Sequence, residues 1–384
     1  MNVPRYDKLP FFARMALILV MLISIGYIAI IGKELLSPLI FALLFSILLL
    51  PLANFLERKC RLPRPAAAGI SVVLLLAFLV TLMYLLGSQF TSLSADYPMF
   101  KEQILTSIKT LQAWINTRFH YDVNKQLETV TSSLTKLLGA GTAAIGTVLI
   151  SLSSILLFLV FIMLYTFFLL CYRKLLMKFL LDIFREENAA AIYEITGQIQ
   201  MVIRQYIIGL LLEMAIVVGS CGIAFYALGI KYAFLFGLLT GMLNIIPYIG
   251  IFTALVISTL ITFATGAAAS KIFLVMVVVI SMHLIDSNVL LPLVVGSKVR
   301  INALITVVGV IFGEMMWGIP GMFLALPVIA MAKIIFDRVE TLKPWGALLG
   351  DDAKNIKPAK VLTRRGFVLR RQKPVVEAPQ KTEP

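Results

Sequence analysis

Eight apolar segments divide most of the chain, and each is long enough to cross a bilayer or to form a hairpin within one. They run approximately over residues 11–31, 35–56, 66–88, 142–172, 207–229, 232–265, 270–295 and 301–336. Charged residues gather in the short connections between these segments. The pattern predicts an all-α polytopic membrane protein whose membrane domain spans residues 1–345.

The sixth and eighth segments are too long for one simple crossing. As a continuous α-helix, either would run roughly 50 Å, whereas the hydrocarbon core of a bilayer is about 30 Å thick. Pro247 and Gly250 interrupt the sixth segment, and Pro320 and Gly321 interrupt the eighth. Unwound backbone is tolerated at membrane depth where it lines a cavity, and paired interrupted segments are typical of secondary transporters. The two breaks therefore predict hairpins and a transport site near the bilayer midplane.

Basic residues set the predicted orientation. They cluster at residues 58–64 and 173–178, which indicates cytoplasmic connections and places both termini in the cytoplasm. Hairpins would put Lys298 and Arg300 inside and Lys271 outside, whereas two full crossings would reverse the assignment. The distribution of positive charges favours hairpins.

Three further regions lie outside the apolar segments. Residues 89–141 are predicted to form an extracytoplasmic insertion of amphipathic helices, residues 173–203 an interfacial helix, and residues 346–384 a basic disordered tail. The insertion has two apolar stripes at helical spacing, which pack on each other, on the membrane or on a second subunit of a homo-oligomer. The stripes are Phe100, Ile104, Ile108, Leu111 and Ile115, and then Val123, Leu127, Val130, Leu134 and Leu137.

Ionisable side chains in the apolar segments need an explanation, because each costs about 2.5–3.5 kcal/mol to insert. Glu213 lies in the fifth segment, where it either has a coupling role or is solvated or paired with Arg204. His283 and Asp286 share one helix face, where they would share a proton, hold a cation with carbonyls freed by Pro292, or fix helix packing.

Other polar residues lie at or near the breaks. Glu314 at the eighth-segment break either lines the path, faces water or caps the following helix. Asn244 precedes Pro247 and offers both a donor and an acceptor, and Asn288 follows Asp286.

A glycine pair precedes each break: Gly237 and Gly241 end six residues before Pro247, and Gly309 and Gly313 end seven residues before Pro320. Small residues four apart allow helices to approach closely in lipid. Their repetition before each break suggests an internal repeat.

Composition narrows the function. The 384 residues are 60% hydrophobic and 14% charged, and the mean hydropathy is +0.96. The net charge of +14 resides in connections and the tail, which favours contact with the lipid bilayer over nucleic acid. The sequence has no metal-ligand spacing, enzyme motif or ATP-binding loop, so we expect no enzyme activity and no cofactor.

Three motifs closely resemble the autoinducer-2 exporter-like permease family, and the resemblance covers residues 11–350. It implies a bacterial inner-membrane secondary transporter, because family members are linked to export of autoinducer-2 and others to sodium/proton antiport. It also implies that the motif residues Asn244, Pro247, Asp286, Asn288, Pro292 and Gly296 line the path or form hinges. The motifs are Asn244-Ile-Ile-Pro-Tyr-Ile-Gly250, Asp286-Ser-Asn-Val-Leu-Leu-Pro-Leu-Val-Val-Gly-Ser-Lys-Val299 and Trp317-Gly-Ile-Pro-Gly-Met-Phe-Leu-Ala-Leu-Pro327.

We therefore expect a secondary transporter that exports a small polar solute, such as autoinducer-2, by using the proton gradient. Asp286 is the expected proton- or cation-linked carboxylate, with polar contacts from Asn244, Asn288 and Glu314. One alternative is exchange of Na⁺ or Li⁺ for protons. Another is a membrane scaffold without transport activity, which leaves the paired breaks and Asp286 unexplained.

Overall fold

The computed structural model describes residues 10–119, 155–184, 188–246, 249–295 and 301–350. These residues form helices and turns, apart from one antiparallel bridge between Ile301 and Gly350. A π-helical segment, Asp286–Val295, continues α9, and a 3₁₀ turn, Glu340–Leu342, precedes α12. The helices are α1 (Phe11–Ile31), α2 (Lys33–Arg58), α3 (Arg64–Ala95), α4 (Tyr97–Phe119), α5 (Ile155–Ile183), α6 (Ala189–Ala227), α7 (Ala233–Leu243), α8 (Ile249–Ala264), α9 (Ala269–Ile285), α10 (Ala303–Trp317), α11 (Ile319–Arg338) and α12 (Lys343–Leu349).

Length and composition qualify six described helices as membrane spans. They are α2, α3, α5, α6, α9 with the start of the π-helical segment, and α11. The shorter apolar helices are α7, α8, α10 and most of α1. The predicted class, an all-α polytopic membrane protein, is confirmed.

The bundle has two distinct ends. At one end, Arg173 of α5 bonds to Glu57 of α2 at 2.7 Å, beside the α2–α3 turn and the start of α6. At the other end, Lys231 of the α6–α7 turn bonds to Asp96 of the α3–α4 junction at 2.6 Å. We call these the basic end and the α4 end.

Helices α7 and α8 form a hairpin, which we call hairpin 1, with both feet at the α4 end. Tyr232, just before α7, donates a hydrogen bond to Asp96. Just after α8, a methyl group placed on Gly266 would lie 3.2 Å from the side-chain amide carbon of Gln103 in α4. The chain therefore enters and returns at the same end, with its turn between Leu243 and Ile249.

Helices α10 and α11 form hairpin 2, which enters from the basic end. The backbone N–H of Asn302 donates to the Leu349 carbonyl at 3.0 Å, so the start of α10 lies beside the residues that follow α11. Arg338, at the end of α11, bonds to Glu194 near the start of α6 at 2.5 Å. The turn is at Gly318, whose φ of 68° favours glycine.

The turns of the two hairpins approach each other inside the protein. Ile246 in the turn of hairpin 1 packs against Val310, Met322 and Ala325 of hairpin 2. Because hairpin 1 starts at the α4 end and hairpin 2 at the basic end, this contact lies between the two ends of the bundle.

Glycine allows the closest helix contacts. A methyl group placed on Gly237 would lie 2.8 Å from the backbone of Gly222 in α6, and one on Gly241 would also press on α6. In hairpin 2, the backbones of Gly313 and Gly321 are in contact. Each predicted glycine pair therefore lies at a close helix–helix contact, the first against α6 and the second within hairpin 2.

The first stripe of the insertion packs partly on the membrane domain. Phe100 of α4 is buried, and its ring meets Tyr232 edge to face at 6.2 Å. Ile104 packs against the same core, which α6, α7 and α9 supply. The side chains of Ile108 and Leu111 lie outside the described residues, as do Ile115 and the whole second stripe.

Two predicted regions differ in the structure. The stretch 173–203 is not one interfacial helix, because its residues belong to the end of α5 and the start of α6. The first four residues of the predicted tail, 346–349, belong to α12, and residues 351–384 lie outside the described residues. Helices α5 and α6 extend further than their apolar segments indicate, because the polar turns at the end of α5 and the start of α6 continue the same helices.

Candidate functional site

Three polar residues from three elements meet in the interior. Asn244 follows α7, and its Nδ2 atom donates to Glu213 Oε1 in α6 and to Asp286 Oδ2 beyond α9, both at 3.0 Å. Glu213 is 4% exposed and Asp286 is 6% exposed. One amide nitrogen thus joins two buried carboxyl groups, and we call these three residues the acidic pair site.

The helix packing explains why Glu213 and Asn244 meet. Glu213 lies on the buried face of α6, together with Met214 and Val217. Gly241 brings α7 against this face, since a methyl group there would lie 2.9 Å from the Met214 carbonyl oxygen. Asn244 follows less than one turn later, so its side chain reaches Glu213.

Asp286 occupies the point where α9 becomes π-helical. The buried residues Val279 and Met282 lie on the same face of α9, at the helical spacings that lead to Asp286. The ten residues Asp286–Val295 are π-helical, a rare geometry that is frequent at functional sites.

Each carboxyl group keeps one oxygen that accepts no hydrogen bond from any described donor. Within the described residues, Glu213 Oε2 and Asp286 Oδ1 are buried and unpartnered. No described Lys or Arg forms a salt bridge with either group, and Arg204, the predicted alternative partner of Glu213, is exposed. Buried acceptors of this kind are costly, so the arrangement suits a bound proton, cation or donor group.

In the described ranges, no three His, Cys, Asp or Glu side chains gather in a way that holds a metal ion. The acidic pair site offers two carboxyl groups and one amide, which are groups that can bind a proton or a monovalent cation.

The structure does not bring the other predicted polar residues into this site. His283 Nδ1 lies 3.5 Å from Ser287 Oγ, and His283 forms no hydrogen bond with Asp286 among the described contacts. Asn288 is exposed and donates to a backbone carbonyl one turn earlier at 2.8 Å. Glu314 is exposed on α10 and does not cap α11.

The predicted break residues occupy different positions. Gly250 is buried at the start of α8, where a side chain would overlap the Leu243 carbonyl. Pro320 lies in the first turn of α11, beside the buried Gly321. Pro292 lies within the π-helical segment. Two further predicted residues lie outside the described residues: Pro247 and Gly296.

The fold defines a polytopic α-helical membrane protein with two hairpins that enter from opposite ends and polar groups near the turn of one of them. This architecture is typical of secondary transporters. Residues 17–341 match the AI-2E family transporter, and the chain belongs to this family. The family predicted from the three motifs is thereby confirmed.

Several relatives extend the match over most of the chain. YrrI of Bacillus subtilis is 27% identical over 311 residues, which cover 79% of this chain and 86% of YrrI. YueF of the same organism is 25% identical, with 78% and 82% covered. TqsA of Escherichia coli, named an AI-2 transport protein, is 27% identical over 334 residues, with 83% and 90% covered.

Proposed function

We propose that this protein is a proton-coupled secondary transporter that exports a small polar solute, with the acidic pair site as its coupling site. The observation that carries the proposal is the single Asn244 amide between two buried carboxyl groups. The AI-2E family is a transporter family, which argues against both an enzyme and a scaffold without transport activity.

The charge of the site supports coupling to an ion. Two like charges side by side in an apolar interior repel each other, and each is costly to hold there. A proton or a monovalent cation bound by Glu213 and Asp286 offsets this cost. The two unpartnered oxygens are the atoms available to bind it.

The helices that carry the site suggest how it opens. Glu213 and Asn244 lie on α6 and α7, whose backbones are in contact through Gly237 and Gly241. Asp286 lies on a different element, the start of the π-helical segment. Movement of that segment against the α6–α7 pair separates the carboxyl groups and exposes them for exchange.

Two observations support a small polar solute: the hydrogen-bond acceptors of the acidic pair site and the name of one relative. Unpaired carboxylate oxygens accept hydrogen bonds from the hydroxyl groups of a small polar solute. TqsA is named an AI-2 transport protein, so AI-2 is the first solute to test.

Transport into inverted membrane vesicles tests this proposal. We expect an imposed pH gradient, acidic inside, to accelerate AI-2 uptake, and Asp286→Asn to abolish the acceleration. Glu314→Gln is the matched control, because Glu314 is exposed and lies outside the site. An uptake rate that is the same with and without the pH gradient would refute proton coupling.

Exchange of Na⁺ or Li⁺ for protons is the second candidate. It is favoured by the two free carboxylate oxygens, which are the hard ligands that such cations prefer. Growth of an antiporter-deficient strain in high sodium or lithium distinguishes the two functions. Rescue by the wild type and not by Asp286→Asn would support exchange.

We also propose that the basic end faces the cytoplasm of a bacterial cell, with both termini on that side. The four exposed basic residues of the α2–α3 turn support this orientation. The second amphipathic stripe lies outside the described residues, and its packing on the first stripe, on the membrane or on a second subunit of a homo-oligomer stays a prediction.

A further inference from the structure

A dense basic surface covers the α2–α3 turn and the last turns of α5. All of its members have exposed side chains, and they come from two parts of the chain that the fold brings together. The residues of this basic surface are Arg58, Lys59, Arg61, Arg64, Lys174 and Lys178.

The acidic residues nearby do not balance this charge. Glu57 lies between Arg173 at 2.7 Å and Arg64 at 4.0 Å, so two guanidinium groups already offset its charge. Besides Glu57 of α2, the described acidic residue beside the basic surface is Asp182 of α5. The basic surface therefore carries a clear positive surplus.

An exposed apolar stripe runs directly beside the basic surface. Leu175, Phe179 and Ile183 recur every fourth residue at the end of α5, and each is more than half exposed. Lys174 and Lys178 flank the stripe. A helix with an apolar face bordered by lysines is typical of segments that lie in the headgroup region of a membrane.

The geometry places this stripe beyond the end of α2. The Arg173–Glu57 bond fixes Arg173 at the level of the end of α2. The ten following residues of α5 extend about 15 Å further along the helix axis. The stripe therefore begins at the level of the basic turn and continues beyond it along the axis of α5.

We propose that the basic surface and the stripe bind anionic phospholipid headgroups of the leaflet at the basic end. Lysine and arginine side chains contact the phosphates, and the three apolar side chains enter the boundary between headgroups and acyl chains. Charge complementarity and the bordering stripe both favour lipid over a protein partner. This binding is independent of the transported solute.

The test measures lipid selectivity of the full-length protein in nanodiscs. Discs contain phosphatidylcholine mixed with phosphatidylglycerol, and native mass spectrometry gives the ratio of the two lipids retained on the released protein. We expect the wild type to retain mainly phosphatidylglycerol. Lys174→Gln with Lys178→Gln should lower that preference about tenfold, because each basic residue near the surface contributes to lipid attraction.

Two controls make the result decisive. Lys101→Gln with Lys109→Gln removes the same charge from exposed positions on α4 and should leave the preference unchanged. Lys174→Arg with Lys178→Arg keeps the charge and should also preserve it. Equal retention of both lipids by the wild type, or an equal loss in the α4 control, would overturn the proposal.

Discussion

The Tyr232 hydroxyl donates a hydrogen bond to the Asp96 carboxylate, which ties the foot of hairpin 1 to the junction of α3 and α4. Lys231 bonds to the same carboxylate at 2.6 Å. Phe100 packs on the Tyr232 ring, and Gln103 lies against Gly266 at the other foot. Both feet of hairpin 1 are therefore held from the α4 end.

This tether predicts an acid-dependent loss of stability. Hydrogen bonding to Lys231, and then to Tyr232, holds the pKa of Asp96 below its usual 3.8. Because the folded-state pKa of Asp96 is lowered, its carboxylate stabilises the folded protein fully at pH values above the usual pKa. This stabilisation is lost as the pH falls through the lowered pKa. Asp96→Asn should reduce the thermal midpoint on the order of 2 °C at neutral pH and remove this part of the acid dependence.

Thermal unfolding between neutral and acidic pH measures the Asp96 effect. Asp182→Asn is the control, because Asp182 is exposed on α5 at the opposite end. A pH profile of Asp96→Asn that matches the wild type would contradict the role of the tether.

The close contact of α6 and α7 predicts intolerance of one methyl group. In Gly237→Ala the new carbon would lie 2.8 Å from the Gly222 backbone, which cannot rotate away. We expect the free energy of unfolding to fall by about 1–3 kcal/mol. Gly219→Ala on α6 is the matched control, since nothing lies within 4 Å of its added carbon. Equal stability of the two variants would show that the contact is looser than described.

Cysteine labelling tests whether hairpin 1 enters and leaves at the same end. Cys60 is exposed at the basic end, and Ser270 is exposed at the α4 end. Lys271 Nζ bonds to the Gly229 carbonyl at 3.0 Å, which fixes the start of α9 beside the α6–α7 turn. An impermeant maleimide should therefore label Ser270→Cys in a Cys60→Ser background from outside intact cells, and Cys60 itself only after lysis. Labelling of both from one side would contradict the arrangement.

Asn244 should matter for both stability and transport. Asn244→Ala removes the donor shared by Glu213 and Asp286, which leaves buried carboxyl oxygens unpaired. We expect the free energy of unfolding to fall by about 1–3 kcal/mol and the proton-coupled flux to be lost. Asn288→Ala is the control, because Asn288 is exposed and bonds only to its own helix in the described structure. A flux in Asn244→Ala equal to that of the control would contradict its bridging role.

Local pattern predicted much of this fold. Segment length and the Gly and Pro positions predicted two breaks, and helices do end at Leu243 and Trp317. The predicted positions of α1 and α2 differ from the structure by at most two residues. Helix ends and segment lengths depend on local runs of apolar residues and on nearby Gly and Pro, so they can be predicted from a single sequence.

The sequence alone did not predict that Glu213, Asn244 and Asp286 form one site. Glu213 and Asp286 lie far apart in the chain, and they meet because the π-helical segment packs against α6, while Gly241 brings the end of α7, and with it Asn244, to the same place. The sequence identified both acids as exceptional at membrane depth, and it predicted Asn244 from a motif. It paired Asp286 with His283 by helical spacing, whereas Asp286 continues the buried face of Val279 and Met282 and accepts a hydrogen bond from Asn244.

Proton flux into proteoliposomes, started by AI-2, tests most directly whether Glu213 and Asp286 form one coupling site. Wild type, Glu213→Gln, Asp286→Asn and the double variant are compared, with Glu314→Gln as the control. We predict flux in the wild type and control, loss in either single variant, and no further loss in the double variant, because residues that act as one unit are not additive. Independent, additive decreases, or full coupling in either single variant, would contradict the shared site.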